Sequence, residues 1–268
     1  MADKSLAIED DVLDKWLNSL DIAAVKKSFS KQGYLKIEEI ISEQCVKRYA
    51  SLYDKLLSGD IDTSVHRHDL GSHVGVAKGR ENITQIMWPS HYAPELRQST
   101  LYRKLELLAQ SVLGEDMSFD FDMMISKPPG SDVETPWHQD ESYWLDMSDK
   151  RAISFWVALQ DVNVDNGCMW FVPGSHLQPL RRHWKVKDGH HINQCECSED
   201  EGRPEPLPAG GCTGHHGRTL HYTRGNKSNS CRRALIVNFR PTSMVQYERD
   251  HQYDHGLSGL ENIIQQVE

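Results

Sequence analysis

The chain has 268 residues, of which 38% are hydrophobic and 26% are charged, and its formal net charge is −9. This composition is typical of a folded globular protein and excludes the disordered, collagen-like and disulfide-scaffold classes. The acidic surplus repels polyanions, no apolar run reaches the roughly 20 residues of a membrane helix, and residues 1–14 lack the pattern of a secretion signal. We therefore expect a cytoplasmic protein with neither nucleic acid nor a membrane as its partner.

Residues 1–115 predict a mostly helical layer. Apolar residues recur there at intervals of three and four, which is the period of one helical face. Asp21 can cap the start of a helix, and Gly33 and Gly114 can each follow the end of one. The predicted elements are helices at 10–20, 21–33, 42–57 and 99–113, strands at 34–37 and 83–88, and loops over 58–82.

From residue 117 the hydrophobic period changes to two, which predicts β-strands in an antiparallel double sheet or barrel. A helical layer against one sheet face is simpler than two domains. We therefore expect a single domain over 1–268, with a support layer in 1–115 and a sheet core in 116–245. Residues 177–210 are polar and long, and we expect a mobile lid there. The predicted strands are 117–127, 153–159, 169–172 and 234–239.

His138 and Asp140 are the first candidate metal ligands. They lie two residues apart in an extended segment, so their side chains leave the same face and can meet one cation. The triplet alone is weak, because 14 histidines produce such pairs by chance and a surface turn is the simpler explanation. A third ligand from a distant strand would complete a two-histidine, one-carboxylate iron site, and His221 is the candidate.

Four motifs in a fixed order identify a family. The chain resembles the phytanoyl-CoA dioxygenase family of iron(II)- and 2-oxoglutarate-dependent oxygenases, and the resemblance covers most of its length. The combination is far more specific than any single motif. The motifs are Lys127-Pro128-Pro129-Gly130 ahead of His138-Gln139-Asp140, Phe155-Trp156-Val157-Ala158-Leu159, the run from Asn166 to His176, and the run from His221 to Arg233.

The resemblance implies a fold and a reaction. The fold is a double-stranded β-helix, a cupin-like jelly roll with helices packed on one sheet and a metal in its mouth. His138, Asp140 and His221 would bind Fe(II), and 2-oxoglutarate and O2 would be the co-substrates. The enzyme would hydroxylate or otherwise oxidise a small molecule and release succinate and CO2. Because related halogenases lack the carboxylate ligand, Asp140 disfavours halogenation.

The resemblance also implies the residues that bind 2-oxoglutarate. The family's spacing from the last histidine selects Arg232 for the far carboxylate, which an arginine can bind through two parallel hydrogen bonds. Arg233 follows directly, and only one of two adjacent strand residues can point inward. Thr223 would donate its hydroxyl to the same carboxylate, and Lys127 and Trp156 would belong to the same pocket.

Two other interpretations stay open. A catalytically silent jelly roll could bind a metal or a ligand without turnover, although it would have no need for a carboxylate-binding arginine. A zinc site could form from Cys195, Cys197 and Cys212, although structural zinc sites usually need a second ligand pair that this chain lacks.

The sequence leaves several roles undecided. For His215 and His216, packing or support of a ligand is favoured over ligation, because three ligands already complete the site. The basic segment 181–187 predicts an anionic substrate, and a solvated surface loop explains it equally well. We expect substrate contacts from 177–210 and from 85–88.

Overall fold

Two antiparallel sheets form the centre of the protein. The computed structural model describes residues 10–72, 80–188 and 190–267. In spatial order, the larger sheet contains β1 (Tyr34–Ile37), β11 (Cys212–His215), β6 (Ile153–Ala158), β13 (Arg232–Pro241), β4 (Met117–Lys127), β3 (Thr84–Met87) and β2 (Arg67–Asp69). The smaller sheet contains β10 (Arg203–Glu205), β7 (Met169–Phe171), β12 (His221–Thr223) and β5 (Thr135–His138).

The helices of the first 115 residues pack on the face of the larger sheet that points away from the smaller one, whereas the last two helices of the chain contribute no described residue to the core that forms there. Asp21 caps the second helix by accepting a hydrogen bond from the backbone N of Ala24, as the sequence predicts. Gly33 ends that helix with a left-handed φ of 83°. No described helix has the length and apolar character needed to cross a membrane. The helices are α1 (Asp10–Asn18), α2 (Ile22–Gln32), α3 (Glu43–Ser58), α4 (Pro89–Tyr92), α5 (Thr100–Leu113), α6 (Thr242–Asp250) and α7 (Leu260–Val267).

Strand β13 shows how the larger sheet separates two buried layers. Leu235, Val237 and Phe239 belong to the core that the sheet forms with the helices. Ala234 and Ile236 belong instead to the core between the two sheets. This alternation matches the two faces that the sequence predicts for 234–239, and it places each side chain of the strand in one layer or the other.

The structure differs from the prediction in the first 115 residues. The expected loop is wrong at β2, a three-residue edge strand whose half-buried side chains give no apolar alternation. With β1 and β3, this region supplies three strands of the larger sheet in addition to its helices. The part of the expected loop at 73–79 lies outside the described residues.

The expected lid at 177–210 contains regular structure. Strands β8 (His183–Lys185) and β9 (Asn193–Cys195) pair as a hairpin, and β10 joins the smaller sheet beside β7. The backbone N of Arg181 donates to the side chain of Gln139, whose own backbone N donates to His183. The segment is thus attached to the residue between His138 and Asp140, and its mobility stays a prediction.

Candidate active site

Pairing between β5 and β12 brings the three predicted metal ligands together. His221 lies directly opposite His138 in the antiparallel ladder, and Asp140 follows two residues after His138. The Nε2 atoms of His221 and His138 are 3.4 Å and 3.7 Å from Oδ1 of Asp140. The ligand atoms of the three side chains all lie within 4.8 Å of one another. This arrangement could hold one metal ion.

Backbone carbonyls orient both imidazole rings. Nδ1 of His138 is 2.7 Å from the carbonyl oxygen of Pro136, and Nδ1 of His221 is 2.9 Å from that of Thr219. Because a carbonyl only accepts, each Nδ1 carries the proton and each Nε2 keeps its lone pair. Burial, reinforced by His221, lowers the pKa of His138 to about 3, so this ring is neutral at pH 7. Two lone pairs beside a carboxylate fit a bound cation.

The second oxygen of Asp140 is held by protein donors. Ser154 Oγ donates to Oδ2 over 2.8 Å, and Nε2 of His215 is 3.2 Å from the same oxygen. Asn238 in turn donates to Ser154 Oγ over 2.7 Å. Burial lowers the pKa of His215 to about 4, so it can donate to Asp140 as a neutral ring. These contacts fix the carboxylate and leave Oδ1 facing His138 and His221.

Arg232 is a buried cation with an incomplete set of partners. It is 1% exposed and lines the space between the sheets. Its Nε and Nη1 have no hydrogen-bond partner among the described residues, and its guanidinium lies 5.4 Å from the ring centre of Trp156. Burial lowers the pKa of Arg232 only to about 10, so it stays charged at pH 7. Because an unpaired buried guanidinium is costly, this position fits an anion such as a carboxylate.

The neighbouring side chain points the other way. Arg233 forms an ion pair of 3.0 Å with Asp54 on α3, on the helix side of the larger sheet. The two arginines therefore leave opposite faces of β13, as the alternation predicts.

Lys127 and Thr223 form a linked pair near Arg232. Nζ of Lys127 donates to Thr223 Oγ1 over 2.8 Å and to the carbonyl oxygens of Thr223 and Arg224. Since Thr223 Oγ1 accepts from Lys127, its own proton is available to a ligand. Thr223 and Trp156 line the cavity at Arg232, whereas Lys127 does not and instead contacts the end of β12.

Two adjoining cavities lie beside the three predicted metal ligands, His138, Asp140 and His221. The inner cavity, of about 70 Å³, contains Arg232, Thr223 and Trp156 in its wall. The outer cavity, of about 140 Å³, lies on the side of His138 and Asp140, which line both cavities. A small molecule in the outer cavity would therefore lie next to two of the three ligand side chains.

The wall of the outer cavity comes from many separate parts of the chain. The segments expected to contact substrate contribute Gln85 and Met87 on one side, and His191 and Ile192 on the other. The C-terminal segment contributes four more residues that the sequence did not indicate. These are Tyr253, His255, Ile263 and Gln266.

The remaining candidate residues lie away from the ligand set. His216 packs beside Phe29 and His176 near α2. Cys212 belongs to the core on the helix side, whereas Cys195 belongs to the core between the sheets. Among the described residues these cysteines do not converge as a metal site, so the zinc interpretation has no support in the structure.

One other group of metal-type side chains converges in the described part of the chain. It consists of Asp120, Glu248 and His255, and all three are buried. Arg240 donates to both carboxylates, with distances of 2.6 Å to Asp120 and 2.9 Å to one oxygen of Glu248. Because the arginine already occupies the space between the acids, this group is an ion-pair network that attaches the C-terminal segment to β4 and β13.

Two histidines and a carboxylate beside a buried arginine are the arrangement that the resemblance to the phytanoyl-CoA dioxygenase family implies. A family model described as "Phytanoyl-CoA dioxygenase (PhyH)" matches residues 29–234. The chain belongs to the phytanoyl-CoA dioxygenase family.

Individual relatives agree with this membership. The "Probable alpha-ketoglutarate-dependent hypophosphite dioxygenase" of Stutzerimonas stutzeri is 25% identical over 224 residues, which cover 81% of this chain and 78% of that protein. The human peroxisomal phytanoyl-CoA dioxygenase is 22% identical over 254 residues, covering 90% of this chain and 73% of that protein.

A solved structure gives the same result for the fold. The crystal structure of EvdO2 from Micromonospora carbonacea var. aurantiaca, in complex with 2-oxoglutarate, superposes with a TM-score of 0.67 at 26% identity. The match covers 82% of this chain and 91% of that one. The comparisons confirm the predicted family, the jelly-roll fold and the class of enzyme, a dioxygenase that depends on iron and 2-oxoglutarate.

Proposed function

We propose that His138, Asp140 and His221 bind Fe(II), and that the enzyme uses 2-oxoglutarate and O2 to oxidise a small molecule. The observation that carries this proposal is the pair of imidazole Nε2 atoms that face Oδ1 of Asp140 at 3.4 and 3.7 Å. When bound, iron with 2-oxoglutarate and O2 supplies the oxidising power, and succinate and CO2 are the co-products. The protein orients the reactants and excludes water.

Arg232 and Thr223 would bind the far carboxylate of 2-oxoglutarate. The unpartnered Nε and Nη1 atoms of Arg232 support this role, since both can donate to one carboxylate. The hydroxyl proton of Thr223 supports it as well, because Lys127 already donates to the oxygen of that hydroxyl. Trp156 would form the wall beside the chain of the co-substrate. In this proposal Lys127 is a positioning residue that acts through Thr223.

The substrate would occupy the outer cavity beside His138 and Asp140. Hydroxylation of a carbon there is the simplest outcome, and desaturation or ring closure would use the same binding residues. The names of the relatives support a small-molecule substrate, since one is called a hypophosphite dioxygenase and another a phytanoyl-CoA dioxygenase.

Succinate formation tests the proposal directly. The purified protein is incubated with Fe(II), 2-oxoglutarate and a panel of small molecules, and succinate is measured above the background without substrate. We expect at least one compound to raise succinate in the wild type and none to do so in His138→Ala. A silent jelly roll would instead bind iron and 2-oxoglutarate, and no compound in the panel would raise succinate.

A further inference from the structure

The outer cavity has the lining of a site for an uncharged molecule. Among the described residues in its wall there is no lysine or arginine, and the one carboxylate, Asp140, is held at the ligand set. Most of the remaining wall is aliphatic or aromatic. The apolar side chains include Leu70, Met87, Phe121, Met123, Ile125 and Ile192.

Two polar side chains in this wall carry buried atoms without a hydrogen-bond partner among the described residues, Gln85 through Oε1 and His191 through its whole ring. His191 is 6% exposed, and neither ring nitrogen has a hydrogen-bond partner among the described residues. The rings of His68 and His190 pack against it, with centroids at 4.1 Å and 5.3 Å. Burial, reinforced by His68, holds the pKa of His191 well below its usual range. The ring is therefore neutral and offers one N–H donor and one acceptor to a ligand.

We propose that the outer cavity binds an uncharged small molecule with an apolar skeleton, and that His191 binds a hydroxyl or carbonyl group on it. This inference rests on the proposed function, because it names the substrate class of the same site. A neutral imidazole can donate to a carbonyl or exchange both kinds of hydrogen bond with a hydroxyl. The buried ring nitrogen, which otherwise lacks a partner, would gain one when the substrate binds.

An anionic substrate finds no unpaired cation among the described residues of this wall, because His255, whose pKa is raised, already contacts the carboxylates of Asp120 and Glu248. A carboxylate or phosphate would lose its hydration there without a described lysine or arginine to replace it. In the basic segment that suggested an anion, Arg181 forms an ion pair of 2.6 Å with Glu201. Arg181 and Arg182 line a different depression on the surface. Lys185 is near enough to contribute to the low pKa of His191 but does not line the cavity.

The C-terminal segment contributes part of this wall from outside the region that the family model matches. The family model ends at residue 234, whereas Tyr253, His255 and Ile263 lie beyond it and still line the cavity. The ion-pair network around Arg240 holds His255 in position, with Nε2 of His255 3.1 Å from Glu248. Substrate preference would therefore be set partly by residues outside the matched region.

Ligand binding to the full-length protein tests the inference without turnover. Saturation-transfer NMR titrations compare cyclohexylmethanol with cyclohexanecarboxylate and benzyl alcohol with benzoate, with and without Zn(II) and 2-oxoglutarate. We expect each alcohol to bind at least about tenfold more tightly than its acid, because the acid loses hydration without a counter-ion. Methylcyclohexane and toluene serve as probes that lack the polar group.

Two variants of His191 locate the polar contact. His191→Leu should weaken binding of the alcohols by about three- to tenfold, the range of one hydrogen bond, and leave the hydrocarbons unchanged. His191→Gln should restore part of the loss, since an amide also donates and accepts. Trp184→Ala is the matched control, because Trp184 is 47% exposed in the same segment and does not line the cavity.

Tighter binding of the acids than of the alcohols would overturn the inference. If Lys185→Met then abolished the binding of the acids, the cavity would be an anion site instead. An unchanged ratio of alcohol to hydrocarbon affinity in His191→Leu would also overturn the inference. Iron and 2-oxoglutarate binding are measured on the same samples. If these fail while the alcohols still bind, the proposed function is wrong and the inference about the cavity stands.

Discussion

The two layers that the larger sheet separates are both buried, yet they differ in chemistry. Toward the helices, β6 contributes Phe155 and Val157 to a core of aliphatic and aromatic side chains. Toward the smaller sheet, the same strand contributes Ser154, which donates to Asp140, and Trp156, which lies by Arg232. Alternation along a strand therefore separates the faces but does not show which one is functional. The unpaired guanidinium atoms of Arg232 indicate the functional layer, although single polar atoms of Tyr53 and Asp122 on the helix side also lack a partner among the described residues.

The layer between the two sheets, the inner layer, contains buried polar atoms whose desolvation cost a bound molecule would offset. Arg232 Nε and Nη1, Asn238 Oδ1 and Thr213 Oγ1 are buried without a hydrogen-bond partner among the described residues. Such atoms destabilise a fold unless something binds them. The helix side depends instead on apolar burial. Substitutions in the two layers should therefore affect different properties, namely ligand affinity in the inner layer and folding stability on the helix side.

The largest effect is expected for the ligand set itself. His138→Ala removes one of three proposed metal ligands and should abolish both iron binding and turnover while the chain still folds. Metal analysis of the purified variant, with circular dichroism for the fold, measures both. His216→Ala is the control, because His216 packs near α2 and should leave iron content unchanged. If His138→Ala retained iron and full activity, His138 would not be a metal ligand.

The next prediction compares the two faces of one strand. Arg232→Ala leaves the carboxylate of 2-oxoglutarate without its cation, a loss of about 2 to 5 kcal/mol for a buried charge pair. The apparent requirement for 2-oxoglutarate should therefore rise at least about tenfold, which corresponds to 1.4 kcal/mol or more. Arg233→Ala loses only its partly exposed pair with Asp54 and should change this requirement little. A larger effect of Arg233→Ala than of Arg232→Ala would mean that Arg233, and not Arg232, binds 2-oxoglutarate.

A third prediction concerns an exception on the helix side. Asp122 is fully buried there and accepts a hydrogen bond from the hydroxyl of Tyr102, while its Oδ1 has no partner among the described residues. Burial raises the pKa of Asp122 to about 6. The folded state therefore holds this proton more tightly than the unfolded state. The resulting stabilisation is complete below about pH 4 and is lost as the pH rises through about 6.

Asp122→Asn should remove this pH dependence. From pH 4.5 to 7.5 the free energy of unfolding of the variant should rise relative to wild type by about 2 kcal/mol, which is most of the roughly 3 kcal/mol that two pKa units represent. Urea denaturation at four pH values measures the difference. Asp60→Asn, which changes an exposed carboxylate, is the control. If the curves of Asp122→Asn and wild type run parallel, the carboxyl of Asp122 titrates in the folded protein as it does in the unfolded chain.

Local signals account for what the sequence could predict. The spacing of His138 and Asp140, the cap at Asp21 and the period of two along β13 all act within a few residues, and the structure contains each feature. The family motifs then selected His221 and Arg232 from distant parts of the chain. The fold class was therefore accessible from the sequence, and so was the choice of candidate site residues, whose roles stay a prediction.

The contacts that hold Asp140 were not accessible in this way, although the sequence favoured packing or support of a ligand for His215. Ser154 lies opposite both His215 on β11 and Asn238 on β13, so their contacts depend on the order and register of three strands. A single sequence does not give that register. The C-terminal wall was missed for a related reason, since Tyr253 reaches the cavity only through tertiary packing.

The smallest expected effect tests His215, for which the sequence favoured packing or support of a ligand over ligation. His215→Ala removes a donor to Oδ2 of Asp140 and leaves Ser154 as the remaining side-chain donor to that oxygen. Loss of such a supporting contact typically weakens metal binding by about 10- to 100-fold, and we expect the lower end because Ser154 remains. Titration with Co(II) as a spectroscopic probe measures the affinity. His215→Gln keeps an N–H donor and should recover part of the loss, whereas Ser154→Ala should weaken binding in the same direction. If His215→Ala binds metal as tightly as wild type, His215 serves only to pack against Phe171, whose ring lies 5.4 Å away.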